Sequence, residues 1–281
     1  MILYDQIQEA IHSIRDQTDF EPTYGIVLGT GLGNLTDDIK VVATIDFTDI
    51  PHFVTSTVQS HKGKLIFGYL SNQPIVALAG RFHYYEGYSM QQVTFPIRVL
   101  KALGIETIII TNVSGSTNAK YESGDIVVVN DHINYHAENP LRGENDERLG
   151  VRFPDMKNTY DKILIDKCLG IAKNHKFRVH KGVYFSWQGP NLETPAEYRF
   201  INTIGGDLVG MSTVPEVIVA KHANLKILVL SVVSNKCFPI EAIKETTVEE
   251  VIAIANAAEP KLRTIIKEAI RRTTLDDDIP F

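Results

Sequence analysis

The sequence predicts an α/β fold: a mixed β-sheet flanked by helices, in a single domain spanning residues 1–281. Three observations carry that expectation. Short β-rich apolar runs alternate with segments of helical periodicity, the pattern of a sheet covered by helices on both faces. Several of the runs are continuously apolar, as strands buried on both sides are. No internal repeat, low-complexity stretch or Pro/Gly/Ser linker interrupts the 281 residues.

The elements follow in order. Leu3, Ile7, Ile11 and Ile14 share one helical face. Scattered charges and the lack of a basic start argue against reading this segment as a signal peptide. Strands are expected at 24–29, 40–46, 64–70, 74–80, 106–112, 125–131, 180–186 and 225–233. Helices are expected at 89–103, with Val93, Ile97 and Leu100 in phase, and at 158–174. Thr213-Val214-Pro215-Glu216 is a capping box with proline in the first turn, opening a helix to about His222. Thr247-Val248-Glu249-Glu250 opens the last helix in the same way, and Pro260 is expected to kink or break it. Residues 274–281 read as a loose or partner-docked tail.

Composition narrows the function. With 28 Lys and Arg against 34 Asp and Glu, the formal charge is −6. Without a long basic run, nucleic acid is a poor partner, because phosphate-backbone affinity needs clustered cations. Cys168 and Cys237 stand alone, which suggests neither a disulfide framework nor a zinc ribbon, and points to a reducing, cytoplasmic compartment. The most apolar stretch, Leu225–Val233, is too short to span a bilayer and contains a lysine, so no membrane role is expected.

Six stretches carry chemistry. "GIVLGTGLGN" (25–34) ends an apolar run in a glycine-rich turn, as phosphate-binding loops do. It departs from the dinucleotide fingerprint, because Asn34 stands where the third glycine is needed. Asp46 is a tempting acid at the end of the next strand, but only Leu32 to Ile39 remain for a crossover helix. No lysine follows the last glycine, so the loop is not a Walker A motif. A turn without a ligand and a small-anion site around Thr30 both stay open.

"AGRFHYYEGY" (79–88) places Arg81 and His83 two residues apart, so they share a face in extended chain, beside Tyr85 and Glu86. Guanidinium plus imidazole is a common way to hold an oxyanion. "TNVSGSTNAKYESGDIVVVNDHIN" (111–134) begins as a buried strand ending in a small-residue turn that a ligand can approach closely. His132 and His136 follow a strand, which argues against a zinc-binding helical face. "NPLRGENDERLGVRFPDM" (139–156) reads as a long functional loop. In "GPNLETPAEY" (189–198), Glu193 sits just before a helix, either as a cap or as a ligand group. In "VGMSTVPE" (209–216), Ser212 offers a hydroxyl at a helix N-terminus. Asn235, at the end of the most apolar strand, is either a turn residue or a reader of a heterocycle edge.

Taken in order, "GRFHYYEGY", "NPLRGENDER", "GPNLETPAEYR" and "VGMSTVPEVIVAKH" make the chain resemble the trimeric, 6-oxopurine-type purine nucleoside phosphorylases over nearly its whole length. The resemblance implies a nucleoside phosphorylase-like fold, and phosphorolysis of inosine- or guanosine-type nucleosides to base and pentose 1-phosphate. Inorganic phosphate is then a co-substrate, with no metal or organic cofactor. It implies that Thr30, His61, Arg81, His83, the Val113 N–H and Ser212 surround phosphate. Glu193 and Asn235 would read the purine, Leu192 and Val209 would line its pocket, and Tyr85 and Met211 would contact the ribose. Phe153 would cover a neighbour's sugar in a homotrimer.

Five departures from the family pattern stand out. Thr30 replaces serine, Ser234 replaces threonine, Leu192 replaces an aromatic residue, and "NVSGS" replaces a turn richer in alanine and glycine. Val248 replaces a histidine that bonds the ribose 5′-hydroxyl, with Thr247 one register away. An apolar group there suggests tolerance of 5′-deoxy or 5′-methylthio nucleosides. A sister methylthioadenosine phosphorylase would carry Asp in place of Asn235. A nucleoside hydrolase or a non-catalytic binder would leave Arg81, His83 and Ser212 without a purpose.

Overall fold

The computed structural model describes residues 2–56 and 63–271. The expected tail at 274–281 and the candidate ligand His61 lie outside them. Among the described residues, nine strands form one mixed sheet: β1 (Tyr24–Val27), β2 (Lys40–Asp46), β3 (Lys64–Leu70), β4 (Gln73–Ala79), β5 (Thr107–Ser116), β6 (Ile126–Asn134), β7 (Val179–Ser186), β8 (Leu208–Gly210) and β9 (Lys226–Lys236). Six α-helices accompany them: α1 (Leu3–Arg15), α2 (Met90–Ala102), α3 (Lys162–Asn174), α4 (Pro195–Thr203), α5 (Val214–His222) and α6 (Val248–Ile270).

The sheet order is β2-β3-β4-β1-β5-β8-β7-β6-β9, with β5 also paired to β9. The five strands β5, β8, β7, β6 and β9 therefore close into a ring. β2, β3 and β4 form an antiparallel meander at the open edge. There β2 exposes Val41 and Val42, and a register shift between Val41 and Ala43 interrupts its pairing with β3.

What positions the site is the parallel block. β1 is parallel to both β4 and β5, and β5 is parallel to β9. Their carboxyl ends therefore emerge on the same side, where ligands gather in open α/β sheets. The continuously apolar runs form the buried centre: Ile108, Ile109, Ile110, Ile227, Leu228, Val229 and Leu230 are all essentially inaccessible.

Three expectations are corrected. β5 does not end in a turn at Asn112 but runs on to Ser116, pairing Val113 with Val232 and Gly115 with Asn235 across a shift after Ser114. β9 likewise continues to Lys236. The small polar residues there are strand residues facing a cleft, and it is their pairing with distant chain that makes them so. β8 is an addition to the expected strands, because three residues carry no periodicity.

The last helix also runs through Pro260 without a break. Proline inside a helix costs ~3 kcal/mol. Leu262, Ile265, Ile266 and Ile270 beyond it are fully buried, and burial stabilises by about 1.5–3 kcal/mol for each such side chain. Packing therefore outweighs the lost bond.

Candidate active site

The glycine loop leaves β1 and is clamped on two sides. The Gly29 N–H donates to Thr111 Oγ1 at 3.0 Å, and that hydroxyl donates to the Val27 carbonyl at 2.9 Å. A Cβ on Gly29 would meet the Thr111 carbonyl oxygen at 2.7 Å and Asn112 Cα at 2.9 Å, both backbone atoms that cannot swing away. Gly31 has φ +71°, and a Cβ there would lie 2.6 Å from the Ala255 methyl of α6. Asn34 and the Leu35 N–H both bond the buried Glu259 carboxylate, at 2.6 and 3.2 Å. The loop therefore sits between β5 and α6 and feeds a short 3₁₀ segment, Gly33–Asp38, with no α-helix at that point. Thr30, between its glycines, lines the cleft.

Arg81 follows β4 and is 3% exposed. Its Nη2 donates to the Thr111 carbonyl at 2.6 Å and its Nη1 to Ser212 Oγ at 3.0 Å. The Glu216 carboxylate lies 3.5 Å from Nη1 and is equally buried. Arg81 Nε has no partner among the described residues. His83 is fixed by Glu86, whose Oε1 takes the His83 backbone N–H at 2.8 Å and stands 3.0 Å from Nδ1. The imidazole stacks on Tyr85 with centroids 4.7 Å apart. Burial, then the Glu86 charge, push the Tyr85 phenol up to about 12, so it is a neutral donor at physiological pH.

Ser212 is presented by a rare kind of turn. Thr213 has φ +77° and ψ −60°, and the Val214 N–H donates back to the Ser212 carbonyl at 2.9 Å. That is a γ-turn with positive φ at a β-branched residue, a strained arrangement that persists only where neighbours hold it. Here Asn112 Nδ2 donates to Thr213 Oγ1 at 2.9 Å, and the Thr213 N–H donates to Glu216 at 3.1 Å. Ser186 Oγ donates to the Ser212 carbonyl at 3.1 Å and is itself 2.7 Å from His136 Nε2. Burial lowers the His136 pKa to about 4, so its ring is neutral and donates to Ser186. His132 instead bonds the Tyr160 hydroxyl at 2.9 Å, so the two histidines serve separate partners.

The opposite set of groups gathers around Asn235. Ser234 Oγ lies 2.7 Å from Asn235 Oδ1, and Asn235 Nδ2 donates to Cys237 Sγ at 3.2 Å. Gly115 makes room for this pair, since a Cβ there would come within 2.8 Å of Cys237 Sγ. Glu193, just ahead of α4, is 9% exposed, and burial raises its pKa above the usual carboxylate range.

These groups line one cleft of about 180 Å³. Of the expected residues it brings together Thr30, Arg81, His83, Tyr85, Val113, Leu192, Glu193, Val209, Met211, Ser212 and Asn235. Val248 is a correction: it opens α6 with its side chain 67% exposed and does not line the cleft. Thr247 caps the helix, and the lining at this end comes from Thr246 and Val251, one to each side. Phe153 stands 86% exposed on the 139–156 loop and is not part of this chain's cleft lining. Sequence reasoning misses Asn112, Gly115 and Tyr198 as lining residues. The first two lie in a stretch that reads as a turn. The signal for Tyr198 is its spacing of five from Glu193 across a helix start.

The model of the phosphorylase superfamily matches residues 23–271. Purine nucleoside phosphorylase 1 of Bacillus subtilis is 48% identical over 82% of this chain and 85% of its own length. The purine nucleoside phosphorylase of Mus musculus is 40% identical over 98% and 97%. A crystal structure of isoform 2 of the Schistosoma mansoni purine nucleoside phosphorylase, with cytosine and ribose-1-phosphate, superposes with a TM-score of 0.93 at 39% identity, covering 98% of this chain and 99% of that one. Another Schistosoma mansoni purine nucleoside phosphorylase, in complex with adenosine, superposes with a TM-score of 0.90 at 37% identity, covering 97% and 98%.

Proposed function

Because the chain belongs to the phosphorylase superfamily, among its purine nucleoside phosphorylases, we propose that its cleft transfers the pentosyl group of 6-oxopurine nucleosides such as inosine and guanosine to inorganic phosphate, releasing the free base. The enzyme is a pentosyltransferase: phosphate attacks C1′ and the purine leaves. The observation that carries the reading is that one cleft is lined both by a guanidinium-and-hydroxyl set and by a carboxylate–amide pair.

Thr30, Arg81, His83, Ser212 and the Val113 N–H surround the phosphate, with His61 completing the set. Their hydrogen-bond donors are what an anionic nucleophile needs when it is held near C1′. Positive charge builds on the sugar in the transition state, and negative charge on the leaving base. Glu193 accepts N1–H of a 6-oxopurine and repels the bare N1 of adenine. Asn235 meets N7, where a hydrogen-bond donor strengthens as negative charge grows on the base. Tyr85 and Met211 contact the ribose, and Leu192 and Val209 flank the base.

The reaction needs no metal or organic cofactor in this reading. Residues 1–281 act as one nucleoside phosphorylase domain, supported by the single sheet and by a family match that spans residues 23–271. The exposed Phe153 ring supports a homotrimer in which it covers a neighbour's sugar. Two free, buried cysteines support a cytoplasmic location. Among the described residues no helix is long and apolar enough to cross a membrane.

A second reading, preference for 5′-methylthio nucleosides, is favoured by the rim near α6. Val251 is apolar, and the Thr246 hydroxyl already donates to the Lys244 carbonyl at 3.2 Å. The deciding assay offers inosine, guanosine, adenosine and their 5′-methylthio forms, with and without phosphate. Turnover that requires phosphate and favours inosine supports the proposal. Turnover without phosphate makes the protein a hydrolase and overturns it.

A further inference from the structure

The glycine loop that carries Thr30 has little stiffness of its own. Gly31 takes φ +71°, and at Gly33 a Cβ would find nothing within 4 Å. Glycine leaves the chain free to turn at both points, so the loop's place is set by what holds its two ends. At the first end, the Gly29 N–H donates to Thr111 Oγ1 at 3.0 Å. At the second, Glu259 reaches across from α6. One of its oxygens accepts from the Asn34 side-chain amide at 2.6 Å, and the other from the Leu35 N–H at 3.2 Å. The 3₁₀ segment Gly33–Asp38 opens at Leu32, where no side chain caps it. Leu35 is its third residue, a position whose N–H a capping oxygen ordinarily takes. Glu259 supplies that oxygen from 224 residues away. The far end of the segment is held separately: Asp38 pairs with Arg263 at 2.6 Å and with Lys267 at 3.1 Å.

We propose that Glu259 is a positioning residue for phosphate: by capping the 3₁₀ segment from α6, it clamps the outgoing end of the glycine loop and so aims the Thr30 hydroxyl at the anion. This deepens the proposed function and rests on its assignment of Thr30 to phosphate.

Burial separates this carboxylate from an ordinary surface contact. Glu259 is 2% exposed, among the apolar residues that α6 turns toward the core. A carboxylate at that depth costs stability unless its oxygens are bonded. Both oxygens bond the segment that leads out of the loop, and both partners are N–H donors. The site therefore calls for two acceptors side by side, which a carboxylate has. Glutamine fills the same space but keeps one oxygen, and its amide nitrogen turns a donor toward a donor. Ala255, one turn earlier on α6, abuts Gly31, the residue after Thr30. The helix thus presses on the loop at one point and pulls on its exit at another. Thr30 lies between the Thr111 anchor and this clamp, with its own place on the cleft wall. A hydroxyl held in place before the anion arrives loses less on binding than one that must be ordered by it.

The test compares wild type with Glu259→Gln, Asn34→Ala, Thr30→Ala, the Glu259→Gln/Thr30→Ala double variant and Arg263→Gln. It reads KM for phosphate at saturating inosine, KM for inosine at saturating phosphate, and Tm. Glu259→Gln is expected to raise phosphate KM about tenfold, and Asn34→Ala, which removes one of the two bonds from an exposed side chain, about threefold. Inosine KM should stay within about twofold in both. In the Thr30→Ala background, Glu259→Gln should change phosphate KM less than about twofold, since the group it acts through is gone. Arg263→Gln cuts the pair at the far end of the same segment, so it controls for stability: Tm should fall while phosphate KM stays within about twofold. An unmoved phosphate KM in Glu259→Gln, the same rise with and without Thr30, or an equal rise in Arg263→Gln overturns the proposal. If Thr30→Ala alone leaves phosphate KM intact, it is the assignment of Thr30 to phosphate that fails.

Discussion

Arg81 and Ser212 are 131 residues apart in sequence, and Nη1 of one donates to Oγ of the other at 3.0 Å. The bond closes one wall of the cleft from two directions. Arg81 arrives on the end of β4, and Ser212 on the strained turn that opens α5. The guanidinium fills a lone pair of the serine oxygen, which leaves the serine proton available to an anion.

Ser212→Ala should therefore raise KM for phosphate about tenfold, the scale of a hydrogen bond to a charged group, while KM for inosine changes little. Initial rates against phosphate at saturating inosine measure this directly. Equal phosphate dependence in the variant would remove Ser212 from the phosphate site.

At Gly29 a methyl group would strike the backbone of Thr111 and Asn112. Gly29→Ala is expected to destabilise the protein by about 1–3 kcal/mol, the usual cost of overpacking. Phosphate binding should weaken at the same time, because the displaced loop carries Thr30. Thr30→Ala should raise KM for phosphate without the stability loss. Thermal melts alongside phosphate titrations separate the two outcomes.

Glu193 should impose an acid limb on kcat/KM for inosine above the ordinary glutamate range. Its pKa is raised by burial, and the reaction needs the ionised form. The linkage to stability has the opposite sense. A carboxyl whose folded pKa is raised favours folding while protonated, and that contribution is lost as pH rises through the folded value. Glu193→Gln in the absence of ligand should thus raise Tm at neutral pH by on the order of 1–2 °C, with the gain fading under acid, even as inosine turnover falls.

Asn235→Asp should lower the inosine-to-adenosine ratio of kcat/KM by at least about tenfold. A carboxylate at this position accepts from the adenine amino group, and it loses the donor that a 6-oxopurine uses. A competition assay with both nucleosides in one vessel reads the ratio directly.

At the rim formed by Thr246 and Val251, no charged side chain among the described residues lines the cleft. Replacing the 5′-hydroxyl of inosine with methylthio should change kcat/KM by less than about tenfold, the scale of one neutral hydrogen bond. A preference for inosine well beyond that would assign the 5′-hydroxyl a partner that this rim does not supply.

Much of the fold is legible in the amino-acid sequence. The alternation of apolar runs and helical periodicities locates eight of the strands to within a few residues, and burial on both faces leaves an unbroken apolar signature in the central strands β5 and β9. The site is legible where its chemistry is concentrated, at Arg81 and His83, at Glu193 and at Ser212. What escapes depends on distant partners. Asn112, Ser114 and Gly115 look like a turn, and only the alignment of β5 with β9 and β8 makes them strand. Tyr198 carries no mark of a cleft residue in the sequence, and only the start of α4 brings it to the cleft wall. The exposure of Val248 follows from helix phase at a capped terminus, where an error of one residue rotates a side chain by about 100°.

α6 touches both halves of the cleft. Val251 lines the cleft beside Thr246, Ala255 abuts Gly31, and Glu259 holds Asn34 and Leu35. These contacts fall on successive turns of one rod, so the rod cannot shift at one end without moving the wall at the other. Phosphate and nucleoside, which never need to share a side chain, therefore share a mechanical frame. To the extent that either ligand moves it, synergy between them is reciprocal by thermodynamic necessity.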